Sequence, residues 1–237
     1  MKLIIPKVFF SYFPKNYHKY AGLAPYTIPI FGKMYFGRIK RIIKLFIKFK
    51  LKFSKVLEVG GGFGLFSTNY KLNFPECNLY LLDLYNKDIL KIVKNVIKIK
   101  LSIKMNYFFE CDIQKKTQFK DKSFDLIFAL DVLEHIENPN LALDELFRIL
   151  KQNGLIFISV PTESKLIKIF RKLYNKFKLI ELNPHWNGKI KSEEEFYQCL
   201  KNKKIKILRR EKYPFNSFPR LFSYDLFYLI QKKNIKK

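Results

Sequence analysis

Four short stretches of this chain hold residue types that could do chemistry. The first is Glu58-x-Gly60-x-Gly62-x-Gly64, which follows the strand-forming residues Val56, Leu57 and Val59. Glycine has no Cβ, so the chain can turn sharply there and a ligand can approach its amides. The helix predicted from residue 65 to about residue 72 would present free N–H groups and a partial positive charge to that ligand. A G-x-G-x-x-G dinucleotide fingerprint does not fit, because its third glycine falls at Leu65 in one register and at Ser67 in the other. A plain strand-turn-helix of another α/β domain fits as well. The second stretch is Leu81-Leu82-Asp83-Leu84, about 20 residues past the glycines, where a carboxylate at a strand end can accept both hydroxyls of a ribose. The alternative is a loop aspartate capping the helix from Lys87 on, and taken with Glu58 the ribose role is favoured. The third is Asp112-Ile113, after a strand predicted over 106–111. The fourth is Asp131-Val132-Leu133-Glu134-His135, at the end of a strand over 124–130. An imidazole there can serve as a general base near neutral pH, with Glu134 to orient it, or it can simply hold the loop by hydrogen bonds. His185 and then His18 are the next candidates. No cluster has metal-ligand spacing, and no metal is assigned.

The elements that must position these groups alternate strand and helix. Residues 1–57 contain no Asp or Glu. To about Gly37 they read as an irregular arm punctuated by Pro6, Pro14, Pro25 and Pro29. A helix then opens, with Ile39, Ile42, Ile43, Phe46 and Ile47 on one face and Arg38, Lys40, Arg41, Lys44 and Lys48 on the other. That helix either packs on the main sheet with a solvated basic back or faces a membrane surface or nucleic acid. A second strand is predicted over 77–84, and a helix follows on Ile89, Ile92, Val93, Val96 and Ile97. Asn138-Pro139 signals a helix start, with a buried stripe of Leu143, Leu146, Phe147 and Leu150. Asn153-Gly154 ends that helix before a strand over 155–160. A basic, partly helical stretch covers 162–185. Ser192 and Glu195 form a capping box for a helix over 192–200, and strands are predicted over 204–208 and 225–231.

The four stretches, in this order and spacing, resemble the class I S-adenosylmethionine (SAM) dependent methyltransferases, and residues 124–161 resemble the type 11 subgroup, which includes ubiquinone and menaquinone biosynthesis enzymes. The likeness covers about residues 54–160 well, 185–231 loosely and 1–50 not at all. It implies an α/β, Rossmann-like seven-stranded sheet, mostly parallel with an antiparallel last strand and helices on both faces. It implies SAM as cofactor, held by Glu58, Gly60, Gly62, Asp83, Leu84, Asp112, Ile113 and Leu130. An acid at Glu58 suits a cofactor with an ammonium and a sulfonium and no pyrophosphate. Asp112 would lie by the adenine amino group with Ile113 against the ring, although a simple turn aspartate reads nearly as well. His135 is the candidate catalytic base. Gly61, where a Cys or other small residue is usual, and Phe63 in the turn depart from the pattern. The implied reaction is in-line methyl transfer to a small-molecule, sugar or lipid-linked acceptor. The implied organisation is an arm and amphipathic helix over 1–50 as a cap, and a SAM-binding domain over 51–237 with 162–185 as a variable cover. The Asn183, His185 and Trp186 stretch resembles a feature near the substrate mouth.

Composition sets the outer limits. The 237 residues suffice for one α/β domain with a sizeable core and an appendage. No run of about 18 apolar residues predicts a membrane span, and Pro6 interrupts the only signal-like start. Cys77, Cys111 and Cys199 are scattered, which suits a reducing compartment and a cytoplasmic, or membrane-peripheral, location. The net charge of +26 favours nucleic acid, anionic membranes or acidic ligands. Lys, Ile, Asn and Phe are all abundant and the lysines are spread throughout, as an AT-rich coding sequence would give. Three functions therefore compete: methyl transfer to a small or lipid-linked acceptor, nucleic-acid binding or RNA methylation, and a non-catalytic membrane-peripheral relative. Against RNA, no Asn-Pro-Pro-Tyr motif or catalytic cysteine pair is found. For membrane contact there are the basic helix and the aromatic tail over 215–222. Neither the arm nor the 162–185 cover carries a code for the acceptor.

Overall fold

The computed structural model of the chain describes residues 1–14, 29–84, 87–104, 107–161, 190, 192–201, 203–213 and 225–233. Seven strands, β1 (Lys55–Val59), β2 (Asn78–Asp83), β3 (Tyr107–Glu110), β4 (Phe124–Leu130), β5 (Leu150–Pro161), β6 (Ile205–Tyr213) and β7 (Asp225–Lys232), form one sheet in the order β3-β2-β1-β4-β5-β7-β6. β1 pairs parallel with β2, β2 with β3, and β4 with β5, whereas β7 runs antiparallel to both β5 and β6. This is the Rossmann-like arrangement inferred from the sequence. The chain folds as two compact units, Met1–Asp112 and Ile113–Lys237.

In the first unit, Val56, Leu57 and Val59 of β1 and Leu79, Leu81 and Leu82 of β2 are buried. Their near-continuous apolar runs are those of strands covered on both faces. Helices α1 (Pro6–Ser11), α2 (Pro29–Lys48), α3 (Leu65–Asn73) and α4 (Lys87–Asn95) belong to this unit, α4 passing into a π-turn at Val96–Lys100. Helix α2 starts at Pro29 rather than Gly37. Proline suits a first helical turn, and the cost of Gly32 and Gly37, about 1 kcal/mol each, is offset by burial of Phe36 and the turns that follow. Phe36, Ile39, Ile42, Ile43 and Phe46 are buried, but Ile47, expected on the same face, is 41% exposed.

Where it is described, at residues 1–14 and from 29 on, the arm is more regular than its prolines suggest. Pro6 opens α1, and Phe9, Phe10 and Phe13 are buried. Two asparagines on α3 hold the residues before it. Lys2 N–H donates to Asn73 Oδ1 at 2.8 Å and Ile4 N–H to Asn69 Oδ1 at 2.7 Å. In return, the side-chain amide of Asn73 donates to Lys2 O at 2.6 Å and that of Asn69 to Ile4 O at 3.1 Å. The match is geometric: four helical residues advance about 6 Å, close to the ~6.6 Å spanned by two extended residues.

The second unit holds β4 to β7, α5 (Pro139–Ile149) and α6 (Glu193–Lys201). Asn138 caps α5, its side chain accepting from Leu141 N–H, with Pro139 in the first turn. Leu150, expected on this helix, already belongs to β5, five residues before the strand start read from the sequence at 155. Asn153 has φ +60°, and the β4–β5 register slips between Phe124/Leu150 and Leu126/Leu155. That irregularity lets the strand continue through an Asn-Gly pair that reads as a break. β6 extends to Tyr213, beyond the predicted 208, because pairing with β7 uses backbone groups and tolerates Arg209, Arg210 and Glu211 on an edge strand. Ser192 caps α6 as expected, accepting from Glu195 N–H at 3.2 Å. The 162–185 cover, His18, Asn183, His185, Trp186 and the aromatic tail over 215–222 lie outside the described residues.

Candidate functional site

The glycine turn of the first unit is built by opposing demands at neighbouring positions. Gly60 N–H continues the ladder to Leu82 O at 2.8 Å, and Gly64 N–H closes the turn on Gly61 O at 2.8 Å. Gly60, Gly62 and Gly64 have φ of +65°, +53° and +80°, which glycine alone adopts without strain. At Gly61 a Cβ would stand 2.7 Å from Leu81 Cγ and 3.1 Å from Glu58 Cδ, so this residue faces the packed interior. A Cβ at Gly62 would meet no heavy atom within 4 Å. The turn is therefore tight on its inner side and open where Gly62 looks out.

Asp83 ends β2 and turns back to this turn: Gly62 N–H donates to Asp83 Oδ2 at 2.7 Å. Leu84, the next residue, is 68% exposed. Cys111 N–H donates to Asp83 O at 3.0 Å, which brings the end of β3 and half-buried Asp112 alongside. Glu58 is 3% exposed, and the Ser67 hydroxyl of α3 donates to its carboxyl. Burial pushes this carboxyl up to about 8; the Ser67 hydrogen bonds oppose that rise and the negative charge of Asp83 adds to it. Glu58 thus sits beneath the turn, beside Gly61, rather than on its open side. Asp83, Gly62 and Leu84 form an outward-facing group, with Gly60 exposed on the same turn and Asp112 on the neighbouring strand end.

In the second unit, Leu130 ends β4 and is half-buried, and Ile113 is buried. Asp131 follows with φ +54°, an uncommon backbone for a residue with a Cβ. Ser159, opposite Leu130 on β5, holds it there: its Oγ accepts from Asp131 N–H at 2.9 Å and donates to Asp131 Oδ1 at 2.7 Å. Leu133–His135 then form one 3₁₀ turn, in which Glu134 is buried and the His135 side chain is 47% exposed. His135 Nε2 lies 3.9 Å from Glu134 Oε1, longer than a hydrogen bond. Among the described residues, no group of three or more His, Cys, Asp or Glu could hold a metal ion.

Sequence reasoning missed the roles of Ser159, Asn69 and Asn73, and the contacts of Phe63. Ser159 sits in an apolar strand and gives no signal until its neighbour is known. Asn69 and Asn73 form an i, i+4 pair on a helix, a spacing that could have marked a shared face. Phe63 meets Phe13 edge-on at 5.1 Å and Phe10 at 6.2 Å between ring centroids, so the arm reaches the turn itself.

A mostly parallel sheet whose first strand runs into an open glycine turn, with a carboxylate at the end of the next strand bonded to that turn, defines a class I methyltransferase fold. A family model described as a methyltransferase domain matches residues 31–207, and the chain belongs to that family, as a class I SAM-dependent methyltransferase of the type 11 kind. It is 30% identical over 167 residues to malonyl-[acyl-carrier protein] O-methyltransferase 2 of Ilyobacter polytropus, an alignment covering 70% of this chain and 60% of that protein. It is 27% identical over 155 residues to the ubiquinone biosynthesis O-methyltransferase of Rickettsia bellii, covering 65% and 62%. The chain spans about half to three-fifths of the length of the curated relatives first matched. The crystal structure of magnesium protoporphyrin IX methyltransferase from Synechocystis with bound SAH superposes with a TM-score of 0.64 at 14% identity, covering 92% of this chain and 98% of that one.

The residues present fit the family's cofactor. Gly62 leaves space that a side chain would fill, Asp83 offers a carboxylate beside it, and Leu84 offers an exposed apolar surface suited to a ring.

Proposed function

We propose that this protein methylates an oxygen of a small-molecule, sugar, carrier-linked or lipid-linked acceptor. One observation carries the reading: Asp83 bonded to the amide of Gly62, where the turn opens outward. When bound, SAM supplies both the methyl group and its own leaving group. Asp83, Gly60, Gly62 and Leu84 would hold the nucleoside, with Asp112, Ile113 and Leu130 in the roles the family assigns. Glu58 keeps the turn in shape from below through Ser67. His135, half-exposed after β4, would accept the proton of the acceptor hydroxyl. An oxygen acceptor is supported by the names of the two relatives, both O-methyltransferases.

Calorimetry tests the first half. Wild type binds SAM, and Asp83→Ala combined with Gly62→Val abolishes binding; no binding by wild type, or undiminished binding by the double variant, overturns the reading. Methyl-labelled SAM incubated with fractionated cell extract tests the second half. Label enters a small-molecule or lipid fraction and falls at least about tenfold with His135→Ala, while SAM binding is kept. Label confined to RNA would instead establish the nucleic-acid alternative that the basic charge raises.

A further inference from the structure

We infer that α1 docks this protein onto an anionic lipid bilayer. The segment around this helix carries apolar side chains on both its buried and its open side, with the exposed Lys7 and Ser11 between them. One face, Phe9 and Phe10 with Phe13 just beyond, is buried. The open side carries Val8 and the flanking cap residues Ile5 and Tyr12, spaced three and four residues apart, which are 43%, 49% and 39% exposed. Exposed apolar side chains interleaved with lysines suit the boundary between an apolar phase and anionic headgroups. Exposed Lys2 and Lys7 stand beside this stripe. The end of α2 has the same character: Ile47 and Phe49 are 41% and 49% exposed among the exposed Lys44, Lys48, Lys50 and Lys52.

Charge decides the occupant. Residues 1–57 hold 13 Lys and Arg and no acid. A second copy of this chain would bring an equally positive surface against the first, which disfavours self-association. A polyanion such as RNA would satisfy the lysines and leave Ile5, Val8 and Tyr12 in water. An anionic bilayer answers both, because interfacial binding combines buried apolar side chains with attraction between lysines and headgroups. Among the described residues no helix is long and apolar enough to cross a membrane, so α1 lies in the interface. The docked helix is tied to the rest of the unit by the Asn69 and Asn73 bonds to residues 2 and 4 and by Phe10 and Phe13 against Phe63. The acceptor is then met at a lipid surface, which deepens the acceptor class proposed above; the docking itself does not depend on catalysis.

The test is flotation of the full chain with phosphatidylcholine vesicles, with and without about 30 mol% phosphatidylglycerol. Binding should require the anionic lipid and weaken strongly between about 0.1 and 0.5 M salt. Val8→Asp with Tyr12→Ser, both on the exposed face, should weaken it at least about tenfold. Tyr197→Ser with Leu208→Ser, exposed residues of the second unit, should leave it unchanged. SAM binding by calorimetry, retained in both pairs, shows that neither has unfolded. Undiminished flotation of the α1 pair, equal binding to neutral vesicles, or binding to RNA but to no vesicle would each overturn the inference. Loss of SAM binding in wild type with flotation intact would instead defeat the enzymatic reading and leave the docking standing.

Discussion

At the scale of single residues, the glycine turn separates fold from ligand more sharply than its sequence could. Gly61→Ala places a methyl group 2.7 Å from Leu81 Cγ, so it should lower stability by about 1–3 kcal/mol through overpacking. Gly62→Ala meets no neighbour and costs about 1–2 kcal/mol of left-handed strain; its larger effect should be on SAM affinity. Calorimetry on the two variants should show the larger loss of SAM affinity in Gly62→Ala while urea melts show comparable losses of stability, and a larger loss of affinity in Gly61→Ala would contradict the assignment of inner and outer sides. Glu58 yields a pH prediction. Its carboxyl, moved from 4.5 to about 8 by burial, stays protonated in the folded chain where the unfolded chain has already ionised. Its share of stability is complete below pH 4.5 and lost as pH rises through about 8. Glu58→Gln keeps an acceptor for Ser67 and should flatten this decline, which in wild type should amount to a few kcal/mol; equal slopes in the two proteins would show that Glu58 does not titrate in that range. That an acid belongs at residue 58 was legible from its spacing to the glycines. Its inward direction was not, because strand alternation in a two-sided buried sheet no longer separates inside from outside.

Elements are set by partners that sequence reading cannot see. Strand β4 and the start of α5 agree with their local signals, a dense apolar run and an Asn-Pro cap, because those signals are complete within a few residues. The start of α2 at Pro29, the start of β5 at Leu150 and the length of β6 all depart from theirs. In each case backbone pairing or burial supplied by a distant element overrides a glycine, an Asn-Gly pair or a charged run. The end of α5 shows the same dependence. Thr117 N–H and hydroxyl both donate to Glu145 Oε1, at 2.7 and 2.6 Å, and Arg148 binds Glu145 and, at 2.5 Å, Asp121. Burial acts to raise the Glu145 carboxyl, but the hydrogen bonds from Arg148 and Thr117 outweigh it and hold it below the usual range. Glu145→Ala should therefore cost about 1–3 kcal/mol, since it leaves buried Thr117 without its acceptor while Arg148 keeps Asp121 and Phe119 O. Wild type should also lose stability as pH falls through the carboxylate range, with a smaller loss in the variant. The asparagine clamp allows an equally direct test. Asn69→Leu should release the α1 segment, seen as faster amide exchange at residues 2–13 with little change in β1 or β2; uniform protection would mean that the phenylalanines alone hold the arm.

For the whole molecule the dominant quantity is charge. Lysine and arginine exceed aspartate and glutamate to give +26 on 237 residues, and the excess is felt even at an element end. Lys232 donates to Phe147 O at 2.5 Å and Leu150 O at 3.1 Å, closing α5. Its ammonium is nevertheless pulled below the ordinary lysine range, first by burial and then by the positive charge of Lys122, with Asp121 in partial opposition. Self-repulsion on this scale opposes compaction, and mobile ions relieve it. Solvent-accessible ion pairs such as Lys151–Asp125 pull the other way, since salt weakens them, but each contributes under about 1 kcal/mol. The repulsive sum over the chain should win. The melting temperature should therefore rise by several degrees between about 0.05 and 0.5 M sodium chloride, and the rise should follow ionic strength whichever simple anion is used. A melting temperature that falls with salt would mean that paired charges outweigh the unpaired excess. A rise produced by phosphate at low ionic strength, and by no other anion, would instead locate the effect at one binding site rather than in the field of the whole chain.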